Sequence, residues 1–363
     1  MQVLVVFYVF LGVFAGFSYL KKNEAFFVSP LQRSFLSFFY FLFFIIFVST
    51  RPADHPGDTE VYLRLFRNLT DLNFLEIPNE YRIEKGFILL THLIGKISNN
   101  ETFFMATIAA IQVSLWYICF KVWIHKNYIL ISVVVFCSLF TSYNLGANVL
   151  RQGIALPISF IALKLLFDRK LVTGIILILL ASLFHKTVFL VLACWALSFE
   201  KVHIKYYFTV WGCISFLSVV GFFEQVISFT SVEFSSYSHL VRDGAVERYK
   251  TGFRLDFWCL SALPLGLYFF LEEEKKKSFS YLLKTYLAIF SVFIILFEIP
   301  YSDRVGLYSW SMLPIIIALF IGSYRLQALN SGIFTTFIMV LFGGIFFQFY
   351  SVMDISFYFK DVI

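Results

Sequence analysis

Charge is scarce in this chain. Only 14% of its 363 residues are Asp, Glu, Lys or Arg, while 60% are hydrophobic and the mean hydropathy is +0.81. This excludes a soluble globular protein and identifies an integral membrane protein. Long polar stretches are also lacking. The longest, about residues 51–85, is too short to fold as a separate domain, so the chain reads as one membrane domain, 1–363. Paired cysteines are absent: Cys119, Cys137, Cys194, Cys213 and Cys259 all lie in apolar runs with no CxxC or Cys/His spacing, which leaves neither a disulfide framework nor a zinc site. No long basic tract exists either. The formal charge of +6 is spread over the ends of apolar runs, so nucleic acid has no place among the expected partners.

What is present is a series of apolar runs from end to end. The first, QVLVVFYVFLGVFAGFSYL, has no basic n-region and no small-residue cleavage site, and is expected to be a permanent span. Spans are expected near 2–19, 35–50, 102–122, 128–143, 150–167, 171–185, 187–199, 206–223, 254–271, 281–297, 304–322 and 331–350. The fold class is therefore an all-α polytopic membrane protein with about 12 transmembrane helices. The positive-inside rule puts the short lysine-rich loops, such as KKN after the first run and EEEKKK at 272–277, on the cytoplasmic side. Both termini and two long loops, 51–101 and 224–253, then face outward.

Two segments need length arithmetic. Residues 86–98, GFILLTHLIGKIS, would span only about 20 Å as a helix against roughly 30 Å of hydrocarbon. Phe87, Leu90, Ile94 and Ile97 recur on one side and His92 and Lys96 on the other, so an outer-face interfacial helix is expected. Residues 171–199 as one helix would carry Lys170 and Lys201 to opposite faces. Two short helices meeting at His185–Lys186 keep both ends inside.

With this threading the inner face holds three arginines, Arg33, Arg169 and Arg325. The outer face holds nine: Arg51, Arg64, Arg67, Arg82, Arg151, Arg242, Arg248, Arg254 and Arg304. A guanidinium offers a planar fork that grips phosphate or carboxylate at two points, whereas lysine is a hydrated point charge. An anionic ligand on the outer face follows as one expectation. Ordinary ion pairs with loop carboxylates are the competing one, equally good for Arg64, Arg67 and Arg82. They are less natural for Arg151 and Arg304, which open apolar helices with few carboxylates nearby in sequence.

The polar residues at the outer helix ends form an ordered series: HPGDTEVYLRLF (Asp58, Tyr62), IEKGF (Glu84, Gly86), NVLRQGIALP (Arg151, Gln152), LFHKT (His185, Lys186), ERYKTGFR (Arg248, Tyr249) and YSDRVGLYSW (Asp303, Arg304). In order and sidedness this series resembles the EpsG-like branch of the Wzy-type polysaccharide polymerases, over about residues 57–310. The resemblance implies a GT-C-like glycosyltransferase that needs no metal and no cofactor. Its partners would be membrane lipid, an undecaprenyl-pyrophosphate-linked oligosaccharide and a chain-length regulator. It implies transfer of a glycan to the non-reducing end of a lipid-linked repeat unit, with the active site on the outer side of the bacterial inner membrane. No DxD motif is present, consistent with a donor that is not a nucleotide sugar.

Carried over residue by residue, Arg151 and Arg304 would hold the pyrophosphate, with Lys186 and Arg248 adding charge. His185 would either take the proton of the attacking hydroxyl or steady the phosphate; Asp58 and Glu84 are the other candidate bases. Tyr249, Gln152, Asp303 and Tyr62 would contact substrate, and the 224–253 loop is a candidate lid. Asp58 also fits a helix cap or turn former. From another functional class, a lipid-linked oligosaccharide flippase would share the span count and a cationic site, but no internal repeat of the transporter kind is evident between the two halves.

Overall fold

A computed structural model describes residues 21–22, 25–26, 29–51, 58–72, 83–199, 201–229, 251–269, 271, 273–299 and 301–323. Among them the elements are helical apart from one two-residue antiparallel ladder, β1 (Lys21–Lys22) with β2 (Ala25–Phe26). The chain divides into two compact units, Met1–Phe189 with Leu313–Ile363, and Leu190–Met312.

The first unit opens with α1 (Pro30–Ser49). It starts at a capping box: Ser29 Oγ accepts from the Gln32 N–H at 3.3 Å, Gln32 Oε1 accepts from the Ser29 N–H at 2.8 Å, and Pro30 supplies a preset first turn. After it come α2 (Thr59–Thr70), α3 (Lys85–Ile97), α4 (Glu101–Trp123), α5 (Ile129–Ser138), α6 (Phe140–Ala147), α7 (Leu150–Phe167), α8 (Leu171–Ser182) and a 3₁₀ turn at Lys186–Val188. The core lies where α4, α5 and α7 meet. There Trp116 is fully buried, with its ring 5.0 Å from Phe136 and 5.7 Å from both Phe120 and Phe160.

In the second unit are α9 (Phe189–Ala196), of which all but Phe189 belongs here, α10 (Ile204–Val219), α11 (Phe222–Phe229), α12 (Leu255–Phe269), α13 (Glu273–Ile295), a 3₁₀ turn at Leu296–Glu298 and α14 (Asp303–Trp310). Phe293 of α13 anchors this unit against Phe257, Phe297 and Trp310 at 6.0, 4.8 and 5.1 Å. Several buried polar groups here are answered internally, which apolar surroundings favour. Trp310 Nε1 donates to Ser261 Oγ at 2.7 Å, Tyr286 donates to the Ser261 carbonyl at 2.6 Å, and buried Lys284 donates to the Phe199 carbonyl at 3.0 Å. The last described helix, α15 (Leu313–Ser323), returns to the first unit and packs on α5, where Ser132 Oγ donates to the Pro314 carbonyl at 2.9 Å.

The chain is a multi-pass membrane protein of all-α class. Among the described residues five helices are long and apolar enough to cross a bilayer: Pro30–Ser49, Glu101–Trp123, Leu150–Phe167, Phe279–Glu298 and Asp303–Gly322. A sixth arises if α5 and α6 count as one broken span. Four more expected spans are shorter apolar helices, Leu171–Ser182, Lys186–Ala196, Ile204–Val219 and Leu255–Phe269. Those near 2–19 and 331–350 lie outside the described residues.

Three expectations need correction. The 128–143 segment is not one helix: it breaks at extended Leu139, and α5 and α6 meet at 72°. The outer loop expected at 51–101 carries, besides the expected interfacial helix, a second one, α2, whose Tyr62, Leu63, Leu65, Phe66 and Leu69 form a buried helical face. On α3 the buried face is Phe87, Ile88, Thr91, His92, Ile94 and Gly95, while Ile97 is exposed. His92 is buried because α3 packs on α2: its Nδ1 meets the Leu69 carbonyl at 3.0 Å, and Lys96 donates to the Thr70 carbonyl at 3.2 Å. Both thereby answer the open carbonyl end of α2. The expected interruption at His185–Lys186 is present: α8 stops at Ser182 and the 3₁₀ turn begins at Lys186.

Candidate functional site

The chain's E-x-G segment has a direct steric meaning. Gly86 donates its N–H to the carbonyl of Leu183 at 2.9 Å, which docks the first turn of α3 onto the end of α8. A Cβ at position 86 would lie 2.7 Å from that same oxygen, so only glycine permits the approach. Glu84, in extended conformation just before α3, is thereby set against the α8 break.

Both carboxylate oxygens of Glu84 are engaged. Oε2 pairs with Nη1 of Arg151, the second residue of α7. Oε1 accepts from the backbone N–H of Lys186 at 3.2 Å and lies 3.5 Å from Nδ1 of His185. The side chains are largely shielded, at 10% exposure for Glu84, 21% for Arg151 and 17% for His185. Arg151 Nε also faces the hydroxyl of buried Tyr62 at 3.5 Å, and the Tyr62 ring packs edge-on to Phe87 at 5.5 Å. Burial pushes the Glu84 carboxyl up, but the His185 ring and the Arg151 charge beside it hold it down at about 2. Glu84 is thus a fixed anion linking three chain segments, with the exposed Lys186 at its edge.

The start of α7, which carries Arg151, is braced by Arg51 and by two residues that the sequence did not flag, Thr59 and Gln112. Carbonyls at the α6–α7 corner accept from Arg51, just past α1, and from side chains of α2 and α4. Arg51 Nη2 donates to the Ala147 carbonyl at 2.7 Å and Nη1 to the Val48 carbonyl at 2.5 Å, while Nε donates to Thr59 Oγ1 at 3.0 Å. The Thr59 hydroxyl in turn donates to Ala147 at 3.4 Å. Gln112, buried in α4, donates to the carbonyls of Leu145 at 3.2 Å and Leu150 at 3.1 Å, and Gly153 leaves the room its amide needs. A lone glutamine in the apolar run of α4 and the threonine beside Asp58 were the available signals.

The structure therefore brings together Tyr62, Glu84, Arg151, His185 and Lys186. Gln152 is buried beside Arg151 in the first turn of α7. Asp58 precedes α2 and makes no side-chain capping bond to it. Arg51 is spent on the Val48 and Ala147 carbonyls and the Thr59 hydroxyl, and Arg67 pairs with Glu60 at 2.7 Å and Glu101 at 3.2 Å. Arg64 lies 3.9 Å from Glu60. These exposed pairs on and beside α2 are the loop ion pairs expected as the alternative, and contribute little to stability. Arg151 corrects the sequence argument: it does have a carboxylate partner, drawn from 67 residues away.

Asp303 and Arg304 open α14 in the second unit, where the Arg304 guanidinium lies 5.2 Å from the centre of the Tyr301 ring. Also in that unit, Arg254 grips Asp256 at 2.9 and 2.6 Å and covers the Phe257 ring at 3.9 Å. Arg248 and Tyr249, with residues 230–250 of the candidate lid, lie outside the described residues. Among the described residues no group of three or more His, Cys, Asp and Glu side chains is placed to hold a metal ion.

Taken together, the first-unit cluster offers an arginine, an exposed lysine and an imidazole beside an ionised carboxylate, at a break in an apolar helix. Such a set can bind an anion and receive a proton within one site. A family model described as the EpsG family matches residues 34–360. No curated protein and no solved structure matches the chain.

Proposed function

Because the chain belongs to the EpsG family, whose role is polysaccharide polymerase-like, we propose that it polymerises a lipid-linked glycan at the membrane. The donor is a glycan on undecaprenyl pyrophosphate, and the acceptor is the non-reducing end of a second lipid-linked repeat unit. The acceptor hydroxyl oxygen forms a bond to the anomeric carbon as the bond from that carbon to the diphosphate oxygen breaks. The bonding electron pair leaves with the diphosphate, and the hydroxyl proton passes to the enzyme. This is metal-independent, GT-C-type chemistry on the outer side of the bacterial inner membrane. A chain-length regulator acts as its partner.

The observation that carries this reading is the Arg151–Glu84–His185–Lys186 cluster at the α8 break. Arg151 and Lys186 hold the leaving diphosphate. His185 is the base. Glu84, held at about 2, is too weak a base to take a hydroxyl proton near neutral pH, which moves the role from the carboxylate to the imidazole. Tyr62 and Gln152 line the substrate path. Asp58, the residue before α2 and one turn ahead of Tyr62, is the remaining candidate base.

Reconstitution of the purified protein in liposomes with a lipid-linked repeat unit tests the reading. Growth of a product ladder with release of undecaprenyl pyrophosphate is expected. Transfer of the repeat unit across the bilayer with no new glycosidic bond would overturn it and establish a transporter.

A further inference from the structure

An anion site with a carboxylate at its centre is an unusual economy. Glu84 cannot swing away, because its backbone begins a helix pinned by the Gly86 N–H to the Leu183 carbonyl, and both its oxygens are held. The formal charges of Arg151, Lys186 and Glu84 sum to one positive charge with His185 neutral. Any phosphate reaching Arg151 meets a guanidinium already donating Nη1 to Glu84 and Nε toward Tyr62.

We propose that Glu84 is a resident counter-anion that competes with the ligand's phosphate for Arg151 and so weakens retention of the diphosphate product. This rests on the reading that a lipid diphosphate binds here. When the bond from the sugar carbon breaks, the electron pair stays on the diphosphate oxygen, so the product carries more negative charge than the donor. A purely cationic site would therefore hold the product more tightly than the substrate, and product release would limit turnover. Repulsion from a fixed carboxylate falls more heavily on the more highly charged product. Glu84 is thus a positioning and charge-setting residue of the site and not its base.

The test is binding of a short-chain prenyl diphosphate to the full-length protein in nanodiscs, measured for wild type and Glu84→Gln. Glutamine keeps a carbonyl for the Lys186 N–H but drops the charge. Binding about ten-fold tighter is expected, the equivalent of one charge-assisted hydrogen bond returned to the ligand. In the polymerisation assay KM and kcat should fall together, with stronger product inhibition. Equal or weaker binding by a folded Glu84→Gln protein overturns the proposal. If that variant does not fold, Glu84→Asp, which retracts the charge by one methylene, should bind two- to three-fold tighter than wild type, and unchanged binding is the overturning result. Failure of wild type itself to bind the prenyl diphosphate removes the lipid-diphosphate reading and this inference with it, whereas binding by wild type without tightening in the variants removes the inference alone.

Discussion

Gly86 and Leu183 share a backbone hydrogen bond of 2.9 Å across two helices nearly a hundred residues apart, at a separation that leaves no room for a Cβ. Everything that brings Glu84 to His185 and Lys186 depends on that approach. Gly86→Ala should force α3 off the α8 end. Overpacking of this kind costs about 1–3 kcal/mol, so a lowered thermal midpoint is expected together with a larger proportional loss of polymerisation. Wild-type melting and activity in the alanine variant would show that the close approach is dispensable.

Thr59 should matter more for structure than its neighbour Asp58. Its hydroxyl accepts from Arg51 and donates to Ala147, so Thr59→Val leaves a guanidinium N–H and a carbonyl without their bridge. A loss of roughly 1–2 kcal/mol is expected in denaturant unfolding, with Thr59→Ser close to wild type because the hydroxyl is kept. Arg51→Lys should resemble Thr59→Val, since one ammonium cannot replace donors aimed at Val48, Ala147 and Thr59. Equal stability of the valine and serine variants would remove the bridge from the argument.

Glu84 also predicts how stability responds to acid. Its carboxyl is held at about 2 in the folded protein, below its ordinary value near 4.5. The folded state then binds fewer protons than the unfolded state across that interval. Its stabilisation is fully present above about pH 4.5 and is lost as pH falls toward 2. Unfolding midpoints measured between pH 6 and pH 3 should fall more steeply for wild type than for Glu84→Gln. Parallel curves for the two proteins would contradict the ion-paired state of Glu84.

The parts of this site legible in the sequence were those that break a pattern. His185 and Lys186 interrupt an apolar run, and the helix does end there. Arg151 opens an apolar helix and does face the cluster. What stayed hidden was pairing over distance: no spacing rule joins Glu84 to Arg151 or Gly86 to Leu183, because each contact is made by packing of helices remote in sequence. The break at Leu139 was hidden for a different reason, since leucine carries no turn signal and the bend falls inside an otherwise apolar run. The α2 helix was missed although Tyr62, Leu63, Phe66 and Leu69 carry its period, because charged residues on its other face gave the segment a loop-like composition.

Arginine geometry gives the sharpest functional prediction. Arg151 uses Nη1 for Glu84 and turns Nε toward Tyr62, which leaves the rest of its guanidinium to meet a phosphate while the first two contacts orient it. A lysine ammonium keeps the charge but cannot satisfy Glu84 and a phosphate in one plane. Arg151→Lys should therefore lower polymerisation on the order of 100-fold, the typical effect of removing one oriented donor from a developing anion. Arg151→Gln should be worse than lysine and should destabilise the fold, because it leaves Glu84 a shielded anion with its strongest partner gone. Adding Glu84→Gln to Arg151→Gln should then recover stability without recovering activity, which separates the two roles of the pair. Full activity in Arg151→Lys would show that charge alone suffices and that the fork is not what recognises the ligand.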